Sequence, residues 1–258
     1  MSELGASLDP SQSTLMIQAE FTEPPTFRDT PWSLRALVLG LAGLLVLRSL
    51  VFFDWNWLAN FPFLALVVYV VLGLGAQVWF LVYPLLMRPR QRLAGEWPSF
   101  WQLLAESLLA FIVVLLITIF FYIIELLLKE FLPNVTLTPR EFEQMAYSGD
   151  PLFVFGILLF SFTFVPVAEE MFFRGFLQNA FRQRMGLTAA IVVQSLIFGF
   201  VHSYSLAHSL AAVVMGVVIT LVYEWQRTLL TPILIHAGIN CIAALGVVAL
   251  MAQAANTP

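Results

Sequence analysis

Residues 103–128 read LLAESLLAFIVVLLITIFFYIIELLL, and only two of their side chains are charged, those of Glu106 and Glu125. A helix crosses the hydrocarbon core of a bilayer with about 20 consecutive, predominantly apolar residues. Because this run exceeds that length and is almost free of charge, it predicts a transmembrane helix. The fold should therefore be one that has lipid, rather than water, as its main solvent.

Six more apolar runs follow the same pattern on either side of this segment. Of the 258 residues, 60% are hydrophobic and 11% are charged, whereas soluble domains have roughly 25% charged residues. The mean hydropathy is +0.88. We predict an all-α polytopic membrane protein of about seven transmembrane helices, with six or eight crossings as alternatives. The predicted crossings are Ala36–Phe53, Phe63–Leu86, Leu103–Leu128, Leu152–Val167, Leu187–Val201, Leu206–Tyr223 and Leu229–Met251.

Polarity divides the chain into four regions. Residues 1–32 are polar and have no basic segment ahead of a short apolar core, so they predict a mobile cytoplasmic tail rather than a signal peptide. Residues 33–151 hold three crossings and a polar loop, residues 152–252 hold the remaining crossings, and residues 253–258 form a short tail. Within the first two crossings, close helix contacts are expected at the small residues Gly40, Gly43, Gly73 and Gly75.

The positions of Lys and Arg predict the orientation, because cytoplasmic loops carry an excess of positive charge. With the N-terminus in the cytoplasm, only Lys129 and Arg140 lie outside. The residues inside are Arg28, Arg35, Arg88, Arg90, Arg92, Arg174, Arg182, Arg184 and Arg227. The net charge of -4 and the lack of a dense basic patch exclude nucleic acid as a partner. The single cysteine, Cys241, excludes a disulfide within the chain and a cysteine-based zinc site.

Ionisable residues at membrane depth are costly and usually functional, and residues 166–175 read PVAEEMFFRG. Glu170 and Arg174 are four residues apart, which on a helix predicts an ion pair. Glu169 lies about 100° around the helix from Glu170 and has no local countercharge, so it is the candidate general base. The alternative is that both glutamates mark a helix end at the membrane surface.

Two further motifs contain histidine. His202 ends the run FGFVH that starts at Phe198, and His236 lies four residues before Asn240, on one face of a predicted helix. A turn is predicted at Arg182 to Gly186, and Glu169 and His202 are equidistant from residues 185–186 within it, so an antiparallel hairpin would place them at one depth.

Each of these two histidines also has a simpler interpretation, as a structural residue. His236 is only nine residues beyond Arg227, so it reaches the depth of Glu169 only if the preceding hairpin extends past the membrane. Taken alone, either histidine is more readily explained as a structural residue, and only the combination with Glu169 predicts a site. The third histidine, His208, fits no pairing and is expected to be structural or interfacial.

In this order, the three patterns resemble the motifs of the CAAX prenyl protease and bacteriocin-processing family of intramembrane proteases, also called the CPBP or Abi family. They are Glu-Glu-x-x-x-Arg at residues 169–174, Phe-x-x-x-His at 198–202 and His-x-x-x-Asn at 236–240. The resemblance covers about Leu152 to Leu245, and its specificity lies in the order of the three motifs.

The resemblance implies an all-helical core that encloses a polar cavity within the membrane. It implies that Glu169 is the general base, that His202 helps to hold the attacking water, and that His236 and Asn240 stabilise the oxyanion. Glu170, Arg174 and Phe198 would support the site. A metalloprotease mechanism stays open beside the metal-free one, because Glu169, His202 and His236 could supply three ligands to zinc.

The function expected from these residues is an intramembrane endopeptidase, which hydrolyses a peptide bond in a membrane-associated or lipidated substrate. Its partners would be that peptide or lipidated protein and the membrane lipids. One alternative is a non-catalytic scaffold or immunity-type factor with the same fold. Another is a transporter that uses Glu169 and the histidines as a proton relay, although this explains Asn240 less well.

Overall fold

Helices make up nearly all of the chain that the structure describes. A computed structural model of the protein describes residues 32–52, 62–87, 99–128, 131, 151–203 and 206–255. In chain order, the helices are α1 (Leu34–Phe52), α2 (Pro62–Met87), α3 (Phe100–Leu128), α4 (Pro151–Glu170), a π-helical segment (Met171–Gln178), α5 (Asn179–Met185), α6 (Leu187–Val201), α7 (Leu206–Gln226) and α8 (Leu230–Ala255).

Seven continuous rods result within these described ranges, because α4, the π-helical segment and α5 follow one another without a break. Each rod corresponds to one predicted crossing, so the all-helical fold class is confirmed. The predicted tail before residue 32 and most of the predicted polar loop before residue 151 lie outside the described residues. At the other end, α8 continues to Ala255 and so includes the first three residues of the predicted C-terminal tail.

Four helical segments of the described chain are long and apolar enough to cross a membrane. They are Leu104–Phe121, Val154–Met185, Leu206–Gln226 and Leu230–Gln253. Two helical stretches are apolar but shorter: Val71–Met87, within α2, and Leu187–Val201, which is α6. The chain is therefore an integral membrane protein.

The distribution of side chains is that expected for a protein whose solvent is lipid. Large apolar side chains such as Leu116, Val192 and Leu245 are exposed on the outer surface, whereas charged and amide side chains are buried between helices. In lipid, polar groups must find their partners within the protein. The buried polar side chains on the described part of α4 to α8 include Glu169, Glu170, Arg174, Gln178, Asn179, Gln194, Thr220, Thr231 and His236.

Aromatic residues fix α1 and α2 against the π-helical segment. The Phe80 ring lies 4.8 Å from that of Phe172, and the Tyr83 hydroxyl donates to the carbonyl of Ala36. A Cβ atom at Gly40 would collide with Phe176, so the predicted close contact is confirmed there. The same holds for Gly43, which lies against Trp79.

The same prediction is wrong for Gly73 and Gly75 on α2. A Cβ atom at either position would meet no heavy atom of the described residues within 4 Å. A small residue in an apolar run therefore did not identify a helix contact by itself.

Gly186 forms the turn between α5 and α6, as predicted. Its φ angle of 80° lies in the left-handed region, which glycine adopts without the steric cost that a Cβ atom would add. Its N–H donates to the carbonyl of Arg182 and ends α5. The chain then reverses, so α6 returns alongside the preceding rod.

Candidate active site

Glu169 and the two histidines of the predicted motifs lie together. Oε2 of Glu169 is 3.5 Å from Nε2 of His202 and 3.9 Å from Nε2 of His236. This oxygen is buried and accepts no hydrogen bond from the described residues. One carboxylate oxygen therefore faces two imidazoles from two other helices.

Each histidine is held through its other ring nitrogen. Nδ1 of His202 lies 2.8 Å from the carbonyl oxygen of Phe198, and Nδ1 of His236 lies 2.8 Å from Oε1 of Glu170. Because a carbonyl and a carboxylate can only accept, both Nδ1 atoms carry hydrogen. Both Nε2 atoms are then directed toward Glu169, and each can accept a proton.

Glu170 serves two partners with one oxygen. Its Oε1 accepts from Arg174 at 2.8 Å as well as from His236, and Glu170 and Arg174 are both fully buried. The predicted ion pair is confirmed. Its additional contact with His236 shows that the pair also orients a histidine of the site.

The Arg174 guanidinium is enclosed by groups from two other helices. Its Nε donates to the Thr220 hydroxyl at 3.3 Å, and its NH2 donates to the carbonyl of Gly216 at 3.3 Å. The Thr220 hydroxyl in turn donates to the side-chain oxygen of Gln194 at 2.9 Å. A buried cation with several partners is far less costly than an isolated one, so this network holds Arg174, and through it Glu170, in place.

Phe198 supports the site with both its ring and its backbone. Its ring lies 4.4 Å from that of His202 and 4.6 Å from the central carbon of Arg174. A guanidinium at this distance over an aromatic face is attracted by the ring's negative face. Phe198 is fully buried, and its ring packs against His202 and Arg174, so it limits the movement of both side chains.

Asn240 lies one helical turn beyond His236 and bonds to another part of α4. Its side-chain amide donates to the carbonyl of Ser161 at 2.8 Å, so it links α8 to α4. An amide carries two N–H groups, and this contact uses one of them. The structure thus brings Glu169, His202 and His236 together, whereas the hydrogen bond of Asn240 is to the Ser161 carbonyl of α4.

The π-helical segment places Glu170 and Arg174 at a wide turn of the backbone. A π-helix bonds residue i to residue i+5 and is frequent at functional sites. The Asn179 amide donates to the carbonyl of Arg174 at 2.9 Å and to that of Gly175 at 2.8 Å. The Asn179 side chain therefore supplies donors to carbonyl groups within the distorted turn.

His236 reaches the depth of Glu169, which the sequence left open. Its Nε2 lies 3.9 Å from Oε2 of Glu169. Arg182 of α5 pairs with Glu224 near the end of α7 at 3.3 Å. The ring of His208 lies 6.2 Å from that of His202, and its structural role stays a prediction.

Sequence reasoning missed three amide or hydroxyl residues around the site. Gln77 on α2 donates to Oε1 of Glu169 at 3.1 Å, while Gln194 and Thr220 complete the surroundings of Arg174. Their signal was the presence of a polar side chain in an otherwise apolar run, which in membrane helices often marks a contact between helices.

A metal ion would need three suitably arranged ligands. Within the described ranges, no group of three His, Cys, Asp or Glu side chains is arranged to hold one. Glu169, His202 and His236 nevertheless bring one carboxylate oxygen within 3.9 Å of two imidazole nitrogens.

A cavity of about 350 Å³ lies between α1 and α6, and none of its lining residues belongs to the site. Its lining is apolar and consists of Leu41, Leu44, Leu45, Leu196, Ile197 and Phe200. The His202 side chain is 19% exposed and that of Glu169 is 8% exposed. The polar cavity that the resemblance implied around Glu169 stays a prediction.

Residues 151–242 match the family model of type II CAAX prenyl endopeptidases, Rce1-like. The matched segment contains all three motifs, from Glu169 to Asn240, and begins at the first residue of α4. The family that the motifs predicted is therefore confirmed for this part of the chain. No curated protein and no solved structure matches the sequence significantly.

Proposed function

We propose that the protein is an intramembrane endopeptidase, which hydrolyses a peptide bond of a membrane-associated or lipidated substrate. The observation that carries the proposal is the position of Glu169. Its Oε2 faces Nε2 of His202 and of His236 at 3.5 and 3.9 Å, and the described residues donate no hydrogen bond to it. A buried carboxylate oxygen that accepts no hydrogen bond is costly, and a role in proton transfer accounts for that cost.

Water is the nucleophile in this proposal. A water molecule beside Glu169 and His202 would donate one hydrogen to Oε2 and the other to Nε2. Glu169 removes the first proton as the oxygen of the water attacks the carbonyl carbon of the peptide bond. When the C–N bond breaks, the same proton is delivered to the departing nitrogen. One water is consumed, and a carboxyl group and an amine are released.

His236 and Asn240 are proposed to stabilise the oxyanion that forms during the attack. With Nδ1–H bonded to Glu170, a protonated His236 would donate from Nε2. A carboxylate at the opposite nitrogen stabilises such an imidazolium, as it does in serine proteases. The second N–H group of the Asn240 amide is the other proposed donor, and donors aimed at developing charge are among the largest contributors to catalysis.

The proposed substrate approaches from the membrane. The site lies between apolar helices whose outer surfaces are exposed Leu, Val and Phe side chains. A peptide anchored by a lipid group, or by its own apolar segment, would be concentrated in that environment. The matched family is named for substrates that end in a prenylated CAAX sequence, so a prenylated peptide is the first probe to use.

We also propose that the N-terminus faces the cytoplasm. The backbone N–H of Trp32, just before α1, donates to the side chain of Gln183 on α5. Arg35, Arg182 and Arg184 therefore lie at one end of the bundle, where Arg182 also meets α7 through Glu224. A reporter fused to the N-terminus and active only in the cytoplasm tests this orientation.

The decisive experiment compares the wild-type protein with Glu169→Gln in proteoliposomes. Two internally quenched peptides serve as probes: one ends in a farnesylated Cys-aliphatic-aliphatic-X sequence, and the other has an N-terminal acyl anchor and no prenyl group. Glu106→Gln makes the same chemical change on α3, outside the site, and is the matched control.

Cleavage by the wild type and by Glu106→Gln, but not by Glu169→Gln, is the expected result. Equal cleavage by Glu169→Gln would contradict the proposed base. Cleavage of neither probe would contradict the proposed substrate class and would favour the non-catalytic scaffold. If both peptides were cleaved equally, membrane attachment rather than the prenyl group would determine recognition.

A further inference from the structure

One contact to the proposed base comes from outside the segment that matches the protease family. Gln77 lies on α2, and the match begins at residue 151. The Gln77 side-chain Nε2 donates to Oε1 of Glu169 at 3.1 Å. The helix around Gln77 is apolar, since residues 71–87 read VLGLGAQVWFLVYPLLM. An amide in such a helix is expected to have a specific partner.

This hydrogen bond gives the two oxygens of Glu169 different surroundings. Oε1 accepts from Gln77, whereas Oε2 faces the two histidines. The terminal torsion of a glutamate side chain is broad and only weakly restrained. Without the bond from Gln77, the carboxylate would rotate more freely about its last bond, and Oε2 would no longer be fixed toward His202.

Stability alone does not account for an amide at this position. Oε1 of Gln77 is buried and accepts no hydrogen bond from the described residues. An unsatisfied buried acceptor costs about 1–3 kcal/mol. An apolar side chain of the same size would avoid that cost but would leave Oε1 of Glu169 without its donor, so the benefit of Gln77 lies in its hydrogen bond to Glu169.

The helix that carries Gln77 is itself held firmly. One turn further along α2, Phe80 contacts Phe172 at 4.8 Å and Phe173 at 5.8 Å. These two phenylalanines follow Glu170 by two and three residues. Gln77 and Glu169 are thus positioned by the same aromatic cluster, which keeps donor and acceptor in register.

We propose that Gln77 is a positioning residue for catalysis, fixing the Glu169 carboxylate so that Oε2 is presented to the attacking water and to both histidines. This inference depends on the endopeptidase function proposed above. It adds α2 to the parts of the chain that build the active site.

The test compares Gln77→Leu and Gln77→His with the wild type, using the farnesylated and acyl-anchored peptides in proteoliposomes. Leucine keeps much of the volume and removes the donor, whereas histidine retains an N–H group at a similar reach. Val78→Ala, on the adjoining lipid-facing position of α2, is the matched control. Each variant is assayed well below its own unfolding temperature.

We expect kcat of Gln77→Leu to fall about 100-fold, the effect of misplacing a catalytic group by about 1 Å. KM should stay at the wild-type value, and the unfolding temperature should fall only slightly, because the variant loses the bond to Glu169 but also removes the unsatisfied Oε1 of Gln77. Gln77→His should recover part of kcat. Wild-type kcat in Gln77→Leu, or a loss that tracks the unfolded fraction, would overturn the inference.

Equal kcat in Gln77→His and Gln77→Leu would also overturn it, because the donor would then be irrelevant. Failure of the proposed function has a different signature. In that case, the wild-type protein itself would cleave neither peptide, or Glu169→Gln would cleave as well as the wild type.

Discussion

Nδ1 of His236 lies 2.8 Å from Oε1 of Glu170, the oxygen that also accepts the guanidinium of Arg174 at 2.8 Å. A single carboxylate oxygen thus joins the structural ion pair to the proposed oxyanion site. Its two roles can be separated by experiment, because the ion pair with Arg174 is expected to affect stability, whereas the proposed activity would depend on the orientation of His236.

Glu170→Gln should lower the free energy of unfolding by about 3–5 kcal/mol, because it leaves the Arg174 charge buried without its partner. Glu170→Gln/Arg174→Gln removes both charges and should recover much of that loss. The double variant should remain inactive, since His236 has lost its carboxylate. Denaturant unfolding in detergent and the peptide assay measure the two effects. Recovery of activity together with stability would show that Glu170 does not act through His236.

Asn240→Ala should reduce kcat by about 100- to 1,000-fold, the cost of removing one oxyanion donor. Its loss of stability should be small, about 0.5–1.5 kcal/mol, because it removes one hydrogen bond to the Ser161 carbonyl. Ser161→Ala keeps that carbonyl and is the control, with no change expected in either quantity. If Asn240→Ala only destabilised the protein, its role would be that of a link between α8 and α4.

Phe198→Leu separates the ring of Phe198 from its backbone carbonyl. The variant loses the contact with Arg174, which is worth about 2 kcal/mol in a desolvated site, but keeps the carbonyl that bonds to His202. We expect a lower unfolding temperature together with measurable cleavage at reduced temperature. Phe200→Leu changes a half-exposed phenylalanine on the same helix and serves as the comparison. Complete inactivity of folded Phe198→Leu would show that the ring itself positions His202.

Cleavage should continue in the presence of a zinc chelator, because the proposed mechanism transfers protons among Glu169, His202 and His236 without a metal. Elemental measurement on the purified protein should find less zinc than one ion per chain. One zinc per chain, lost in His202→Ala together with activity, would support the metalloprotease alternative and assign these three residues as its ligands.

The sequence predicted the contacts that depend on local spacing. The four-residue interval between Glu170 and Arg174 gave their ion pair, and the symmetry of the hairpin about Gly186 gave the approach of His202 to Glu169. Both follow from the rise and rotation of a helix. The order of the motifs was sufficient to indicate the family.

Contacts between helices far apart in the sequence could not be predicted in the same way. The bond from Gln77 to Glu169 and the sharing of Glu170 between Arg174 and His236 depend on how each helix is rotated about its axis. No pattern in one apolar run determines that rotation. Gly73 and Gly75 are exposed, although both lie in an apolar run. A small residue permits a close helix contact but does not require one.

The π-helical segment also had no signal in the sequence. It determines which faces of the continuous α4–α5 rod contact the neighbouring helices. Each widened turn changes the angular phase of every residue that follows. The face that presents Glu169 to α6 and α8 is therefore set separately from the face that presents Arg182 to Glu224 on α7. A one-residue deletion within Met171–Gln178 should leave both halves helical but rotate one against the other by about 100°. The half that carries Glu169 and the half that carries Arg182 would each still be helical, yet they could no longer both pack correctly against the neighbouring helices.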